Sequence, residues 1–162
     1  MIADAKSSIA ITSLYFKPVE PLMAALVAAA RRGVDVEIHH SHRDALPATE
    51  LAWIAAAAHY RPLLRAGVRV HENRHGEHSK IVVTDGTSVA FGSYNFEHAA
   101  HDRLAEAMLA SRDPVAVQPA LAIFEELRQH PDNVLVTSQM LRDLPARLRV
   151  KRVILGPFKR WM

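Results

Sequence analysis

The 162-residue chain has no cysteine, so no disulfide framework holds the fold and the redox compartment is left open. Its apolar runs fall short of the roughly 18 residues needed to cross a bilayer. Its start lacks the basic, then apolar, then small-residue order of a signal peptide. The expectation is a soluble or peripheral chain on the cytoplasmic side of a membrane. No internal repeat of useful length is visible. The ten histidines are accompanied by no cysteine and by no H-E-x-x-H motif. His39-His40-x-His42, His71-x3-His75-x2-His78 and His98-x2-His101 have spacings that could be assembled into a metal site. The expectation is nevertheless no metal and no cofactor, with most of these histidines in loops or in solvent.

What is present suits one α/β domain. A chain of this length can form a single core that buries roughly 70% of the unfolded surface. A strand from Ile9 to Leu14, a helix from Pro21 to Arg32 stopped by Gly33, and a strand from Val34 to His39 imply a right-handed crossover and a parallel pair. A longer helix over about Thr49 to Leu64 leads through Gly67 to a strand from Val68 to Glu72. A hairpin, a strand from Leu104 to Ser111 and a helix from Pro114 to His130, opened by the Asp113-Pro114 start signal, follow. Such alternation predicts a mixed, mostly parallel sheet with helices on both faces. Trp53 and Tyr60, seven apart on one helix face, belong to the core or an interface rather than to a ligand.

The segment from His78 to Asn95 carries the chemistry. His78 and Lys80 are two apart before the β-branched run Ile81-Val82-Val83, so one strand face is expected to present an imidazole and an ammonium. Asp85-Gly86 signals a tight turn, and Thr87 to Phe91 returns the chain to its starting place. Gly92 there permits close approach of backbone to a ligand, while Ser93 and Asn95 offer hydroxyl and amide donors to phosphate oxygens. An imidazole attacks phosphorus only when neutral, and best when a carboxylate holds its other nitrogen. Glu106, in the apolar stretch Leu104 to Leu109, is the candidate partner, the bland alternative being a solvated strand face.

His78-x-Lys80, Asp85 and Gly92-Ser93-x-Asn95 fit H-x-K-x4-D-x6-G-S-x-N at every defined position, and so resemble the HKD signature of the phospholipase D superfamily. The likeness extends over about residues 4 to 127 and is closest to the C-terminal half of bacterial cardiolipin synthase-like proteins. It runs through the Ile9 to Pro18 strand and aromatic turn, the Ala25 to Ile38 helix and strand, and Ala66 to Glu72. The resemblance implies a phospholipase D-type domain and a two-step, metal-free transfer through a phosphohistidine. It implies that His78 is nucleophile or general acid, that Lys80, Ser93 and Asn95 bind the phosphate, and that Glu106 orients His78. Asp85 enters as part of the signature, with a structural role in the turn. Glu77 before the histidine, and Phe96 to His101 after Asn95, depart from the family pattern and leave the lipid and the acceptor open. The chemistry needs two such segments, and only one is present. Either a second copy supplies the other across a two-fold axis, or the chain is the second half of a longer protein.

Residues 1–135 are read as the catalytic half-domain and 136–162 as a basic, apolar tail. From Leu141 to Met162 seven basic residues face one acidic residue, a net of +6 in a chain of +3, so the remainder is acidic. Interleaved Val150, Val153, Ile154, Leu155, Phe158 and Trp161 suit anionic headgroups, the alternative being a closing element packed on the domain. The expected partners are a phospholipid, an alcohol or water acceptor, and an anionic membrane surface. A nucleic-acid substrate would require a basic groove that the acidic core does not advertise. A non-catalytic lipid-binding half-domain is the third possibility.

Overall fold

The computed structural model describes residues 1–45 and 50–155, without the side chains of Arg152 and Leu155. The expected helix start at Thr49 and the tail from residue 156, with Phe158 and Trp161, lie outside the described residues.

Alternation within β1 (Ser8–Ser13) sets the two layers. Ile9 and Ile11 enter a larger core with Val36 and Ile38 of β3 (Asp35–Ser41), Val70 of β4 (Arg69–Asn73) and the helices α1 (Glu20–Arg31) and α2 (Glu50–Arg65). Ala10 faces the other way, into a second core with Val83, Val89 and the apolar stripe Val117, Ala120, Phe124 and Leu127 of α4 (Pro114–Gln129). A one-residue slip would exchange the two faces, so the register is strongly fixed. Glu37 adds a polar clamp to the second face. Its carboxylate, held far below the ordinary range against the effect of burial, accepts from Arg69 of β4 and Arg128 of α4.

The main sheet has seven strands in the order β8-β6-β5-β1-β3-β4-β9. Its centre, β1-β3-β4, is parallel, and the hairpin of β5 (Ile81–Thr84) with β6 (Ser88–Gly92) adds antiparallel pairs. β8 (Met108–Ser111) and β9 (Asn133–Leu135) close the two sides, also antiparallel. Four of the seven strands, β1, β3, β4 and β6, therefore run in one direction. A two-stranded parallel ribbon joins β2 (Phe16–Lys17) to β7 (Phe96–Glu97), stapled by the buried ion pair of Lys17 and Glu97 at 2.7 Å. Between β7 and β8 lies the short helix α3 (His98–Asp102).

Two local readings change. The strand expected from Leu104 begins only at Met108, so Glu106 stands in the loop before β8. The close approach permitted by Gly92 is to protein backbone: a Cβ there would lie 2.0 Å from the Ala107 carbonyl oxygen. Gly92→Ala is thus expected to pry β6 from β8 and lower stability by about 2 kcal/mol or more, read as a fall in the thermal midpoint.

The described residues after β9 pack on the domain. Val136 and Leu141 join the larger core, and Leu148 is buried. α5 (Ser138–Arg142) is capped by the Thr137 hydroxyl, and α6 (Ala146–Leu155) lies on α2, where Lys151 pairs with Glu50. The outer face of α6 leaves Val150, Val153 and Ile154 exposed. Among the described residues no helix is long and apolar enough to cross a membrane.

Candidate active site

The carboxyl ends of β1, β3 and β4 and the start of β5 meet at one edge of the sheet, the usual place for a site in such folds. His78 and Lys80 stand in the segment that enters β5, one step before the strand itself. Three hydroxyl-bearing side chains brace that segment. Glu77 accepts from the Ser79 backbone N–H at 2.7 Å and from its hydroxyl at 2.5 Å, Ser79 meets Thr12 Oγ1 at 2.8 Å, and Thr12 Oγ1 accepts from Ile81 N–H. Ser41 Oγ joins the Glu77 backbone at 2.9 Å. Glu77 thereby shapes the strand entry and neither faces away from the protein nor bonds the His78 ring. The signal was the alternation Glu77, Ser79 against His78, Lys80, which sends the two pairs to different sides.

The hairpin delivers the other half. Asp85 and Gly86 both take positive φ, 54° and 63°, in the three-residue connection between the paired Thr84 and Ser88. The chain returns to Gly92, and an open cleft of about 510 Å³ is lined by His78, Ser79, Lys80, Gly92, Ser93, Asn95 and Glu106. Five of the six residues singled out in the sequence thus share one surface. His78 is exposed, and among the described residues no group hydrogen-bonds its ring. Lys80 donates from Nζ to the His78 carbonyl at 2.6 Å, and partial burial draws its pKa down against the pull of Glu77, Glu106 and Glu97. Asn95 Oδ1 is buried without a hydrogen-bond partner among the described residues.

Glu106 departs from its expected contact. Its carboxylate receives the Ser93 hydroxyl, which in turn accepts from Ala107 N–H at 3.1 Å. The cause is the loop preceding β8, which returns Glu106 over Ser93 rather than over the imidazole.

Asp85 is the sixth residue and lies apart from the cleft, at the far end of the hairpin. Its carboxylate accepts from Lys6, Ser7 and Ser8 backbone N–H groups at 2.7–3.1 Å and from the Ser7 hydroxyl. These backbone bonds lower its pKa to about 2. It anchors the start of β1, away from the cleft that holds the other five. Because the folded pKa lies below the ordinary carboxylate value, the contribution is present above about pH 4 and lost as pH falls toward 2. Asp85→Ala is expected to cost about 1 kcal/mol at pH 7, the exposed position keeping the figure small, and the difference from wild type should shrink as pH falls through about 2 in denaturant unfolding.

The histidine spacings do not assemble as the sequence allowed. His40 bonds Tyr60, His42 faces Glu72, and His101 contacts Tyr94. Two groups of metal-competent side chains are nevertheless close, Glu37, His39 and His71 within the sheet, and His75, His130 and Asp132 at the surface. Sequence reasoning missed the second, because two of its members follow α4, far from His75 in the chain. It also missed the buried cluster in which Glu72 accepts from Trp53 and Tyr60 at 2.6 Å each.

Solved structures share this architecture. Nuc of Salmonella typhimurium, a phospholipase D family member, superposes with a TM-score of 0.68 at 27% identity over 85% of this chain and 86% of that one. A phosphatidylserine synthase of Haemophilus influenzae Rd KW20 gives 0.71 at 17% identity over 98% of this chain and 41% of that chain, a likeness of fold. The class is therefore a phospholipase D-like α/β domain. Residues 1–128 match the family described as cardiolipin synthase, PLD-like domain, and the chain belongs to it. The cardiolipin synthase of Halalkalibacterium halodurans is 40% identical over 98 residues, 60% of this chain. That of Geobacillus thermodenitrificans is 37% identical over the same length. The matched region is 19% of the length of either relative.

Proposed function

We propose that the chain carries one half of a phosphodiester-transfer site acting on glycerophospholipids. The observation that carries this reading is the cleft that gathers His78, Lys80, Ser93, Asn95 and Glu106, in a chain of the cardiolipin synthase-like family.

The neutral imidazole of His78 attacks phosphorus, a nitrogen–phosphorus bond forms, and the bond to the leaving alkoxide breaks. A second histidine gives that alkoxide its proton. An alcohol or water then loses a proton to the second histidine and attacks phosphorus, and the nitrogen–phosphorus bond breaks to restore His78. By symmetry His78 can serve as the proton donor instead. Lys80 supplies a point charge to the phosphate oxygens, and Ser93 and Asn95 supply donors. Ser93 must first release Glu106, which frees that carboxylate to meet an imidazolium. The second histidine comes from a second copy or from a further segment of a longer protein. Phe91, Leu104, Met108 and Leu109, exposed beside the cleft along the β6-β8 edge, offer the apolar surface for that contact. The exposed Val150, Val153 and Ile154 of α6, with the basic residues around them, support peripheral binding to an anionic, cytoplasm-facing membrane.

Incubation with labelled phosphatidylglycerol and, separately, with single-stranded DNA tests the reading. Lipid turnover with a phosphoryl label retained by wild type but not by His78→Ala is expected. Turnover of DNA alone would sink the lipid assignment. No label and no turnover at any protein concentration would leave a binding half-domain.

A further inference from the structure

The two histidine groups outside the cleft differ in what they can hold. A metal bound by imidazole nitrogens must lie in the plane of each ring, at about 2.0–2.1 Å for zinc. His39 and His71 stack with planes 10° apart at 4.6 Å, so their in-plane lone pairs run side by side and do not converge. Their carboxylate, Glu37, is already taken by two guanidinium groups, which bring positive charge to the same place. That group is suited to holding α4 on the sheet.

The surface group has the opposite character. The rings of His75 and His130 meet edge to face, 88° apart at 5.3 Å, so their in-plane lone pairs can point to one spot. Asp132 lies beside them with His75 Nε2 2.5 Å from its Oδ2, and one ligand atom from each of the three falls within 4.8 Å of the others. Ligand atoms on a tetrahedral zinc are about 3.4 Å apart, so rotation about side-chain bonds brings the set to that spacing. Among the described residues no Lys or Arg bonds to this carboxylate. His130 Nδ1 receives only the Asp132 N–H, at 3.2 Å, a weak contact that a metal bond can replace. Two histidines and one carboxylate leave the fourth position to water.

We propose that His75, His130 and Asp132 form a binding site for one divalent transition-metal ion of the zinc type. The site joins two segments. His75 lies in the turn between β4 and the cleft, three residues before His78, while His130 and Asp132 lie between α4 and β9. The segments already touch through the Arg74 N–H donating to the Asp132 carbonyl at 3.0 Å. A metal here cross-links them and tethers residues 74–80, the segment that presents His78 and Lys80. The metal takes no part in the transfer chemistry. Only the consequence for the cleft rests on the phosphodiester reading, while the site itself does not.

The full chain, without a histidine tag, is titrated with zinc against a chromophoric chelator and with cobalt by visible absorption. One ion per chain is expected, in the micromolar range, with the absorption of four-coordinate cobalt. His130→Ala and His75→Ala should each weaken binding by at least about 100-fold, since even the outer partners of metal ligands are worth 10–100-fold. Asp132→Asn should also weaken it, while His71→Asn and His78→Asn should bind as wild type does. Melting curves establish that each variant is folded. Amide exchange over residues 74–80 should slow with zinc in wild type and not in His130→Ala. Binding that survives His130→Ala, binding lost in His71→Asn, or binding only at millimolar zinc overturns the site. Unchanged exchange with one ion bound overturns the tether.

Discussion

His78→Ala is expected to lower phosphodiester turnover by at least about 10⁴-fold while leaving the thermal midpoint within about 1 °C of wild type. The two halves of this expectation have separate causes. The ring is exposed and no described group bonds to it, so its removal breaks no packing and leaves no buried group unsatisfied. Its chemistry, in contrast, has no substitute, because the remaining cleft residues bind and polarise phosphate but cannot take it covalently. Lys80→Ala should fall by a smaller factor, about 10²–10³, the scale for one donor that stabilises transition-state charge. Glu106→Gln should affect kcat more than KM if the carboxylate meets an imidazolium after Ser93 releases it. Equal changes in both would confine Glu106 to holding Ser93. If a second copy completes the site, specific activity should rise with protein concentration, and a mixture of wild type and His78→Ala should show less activity than the wild-type fraction alone gives. Turnover by His78→Ala within tenfold of wild type would remove the histidine mechanism altogether.

Much of this site is legible in the sequence, for a local reason. Its residues fall within 29 positions and are joined by one hairpin, so the tight turn at Asp85-Gly86 was enough to place Ser93 and Asn95 near His78 and Lys80. The parallel centre and the helical layer of α1 and α2 were legible in the alternating periods of the first 72 residues, and the layer on the other face in the Asp113-Pro114 start of α4. What sequence could not supply was set by contacts between distant segments. Glu106 was expected in a strand because Leu104 to Leu109 is apolar. The strand starts later because Gly92 and Met108 form its last pair. Asp85 belongs to the signature as much as His78 does, yet its partners are backbone groups 77–79 positions away, which no spacing reveals. β9 was missed because three residues carry too little periodicity, although they close the sheet beside β4. The basic tail was legible as charge, but its packing depended on Leu141 and Leu148 finding apolar partners on the domain.

Glu72→Ala is expected to be the most damaging single change to stability, at about 3–5 kcal/mol, the cost of removing one partner from a buried charged network. Glu72 is 3% exposed, and Oε1 receives both the indole N–H of Trp53 and the hydroxyl of Tyr60. Tyr60 has one proton and gives it to the carboxylate, so the His40 Nε2 at 2.7 Å must donate to the phenol oxygen. Truncation strands an indole and a phenol in the core and reopens the tautomer choice of the histidine. Glu72→Gln keeps an oxygen in place to accept both bonds and should cost about 1–2 kcal/mol. The difference between the two variants isolates the hydrogen bonds from the volume. Acid sharpens the contrast. Burial draws the His40 pKa down while Glu72 draws it up, so the folded protein protonates this ring less readily than the unfolded chain does. Stability is then lost as pH falls below about 6.5, the ordinary histidine value. Without Glu72 the opposing pull is gone and the loss steepens. Denaturant unfolding at pH 8 and pH 5 should therefore show a larger deficit for Glu72→Ala at the lower pH. A deficit equal at both would mean that Glu72 does not set how readily His40 protonates in the folded protein between these pH values.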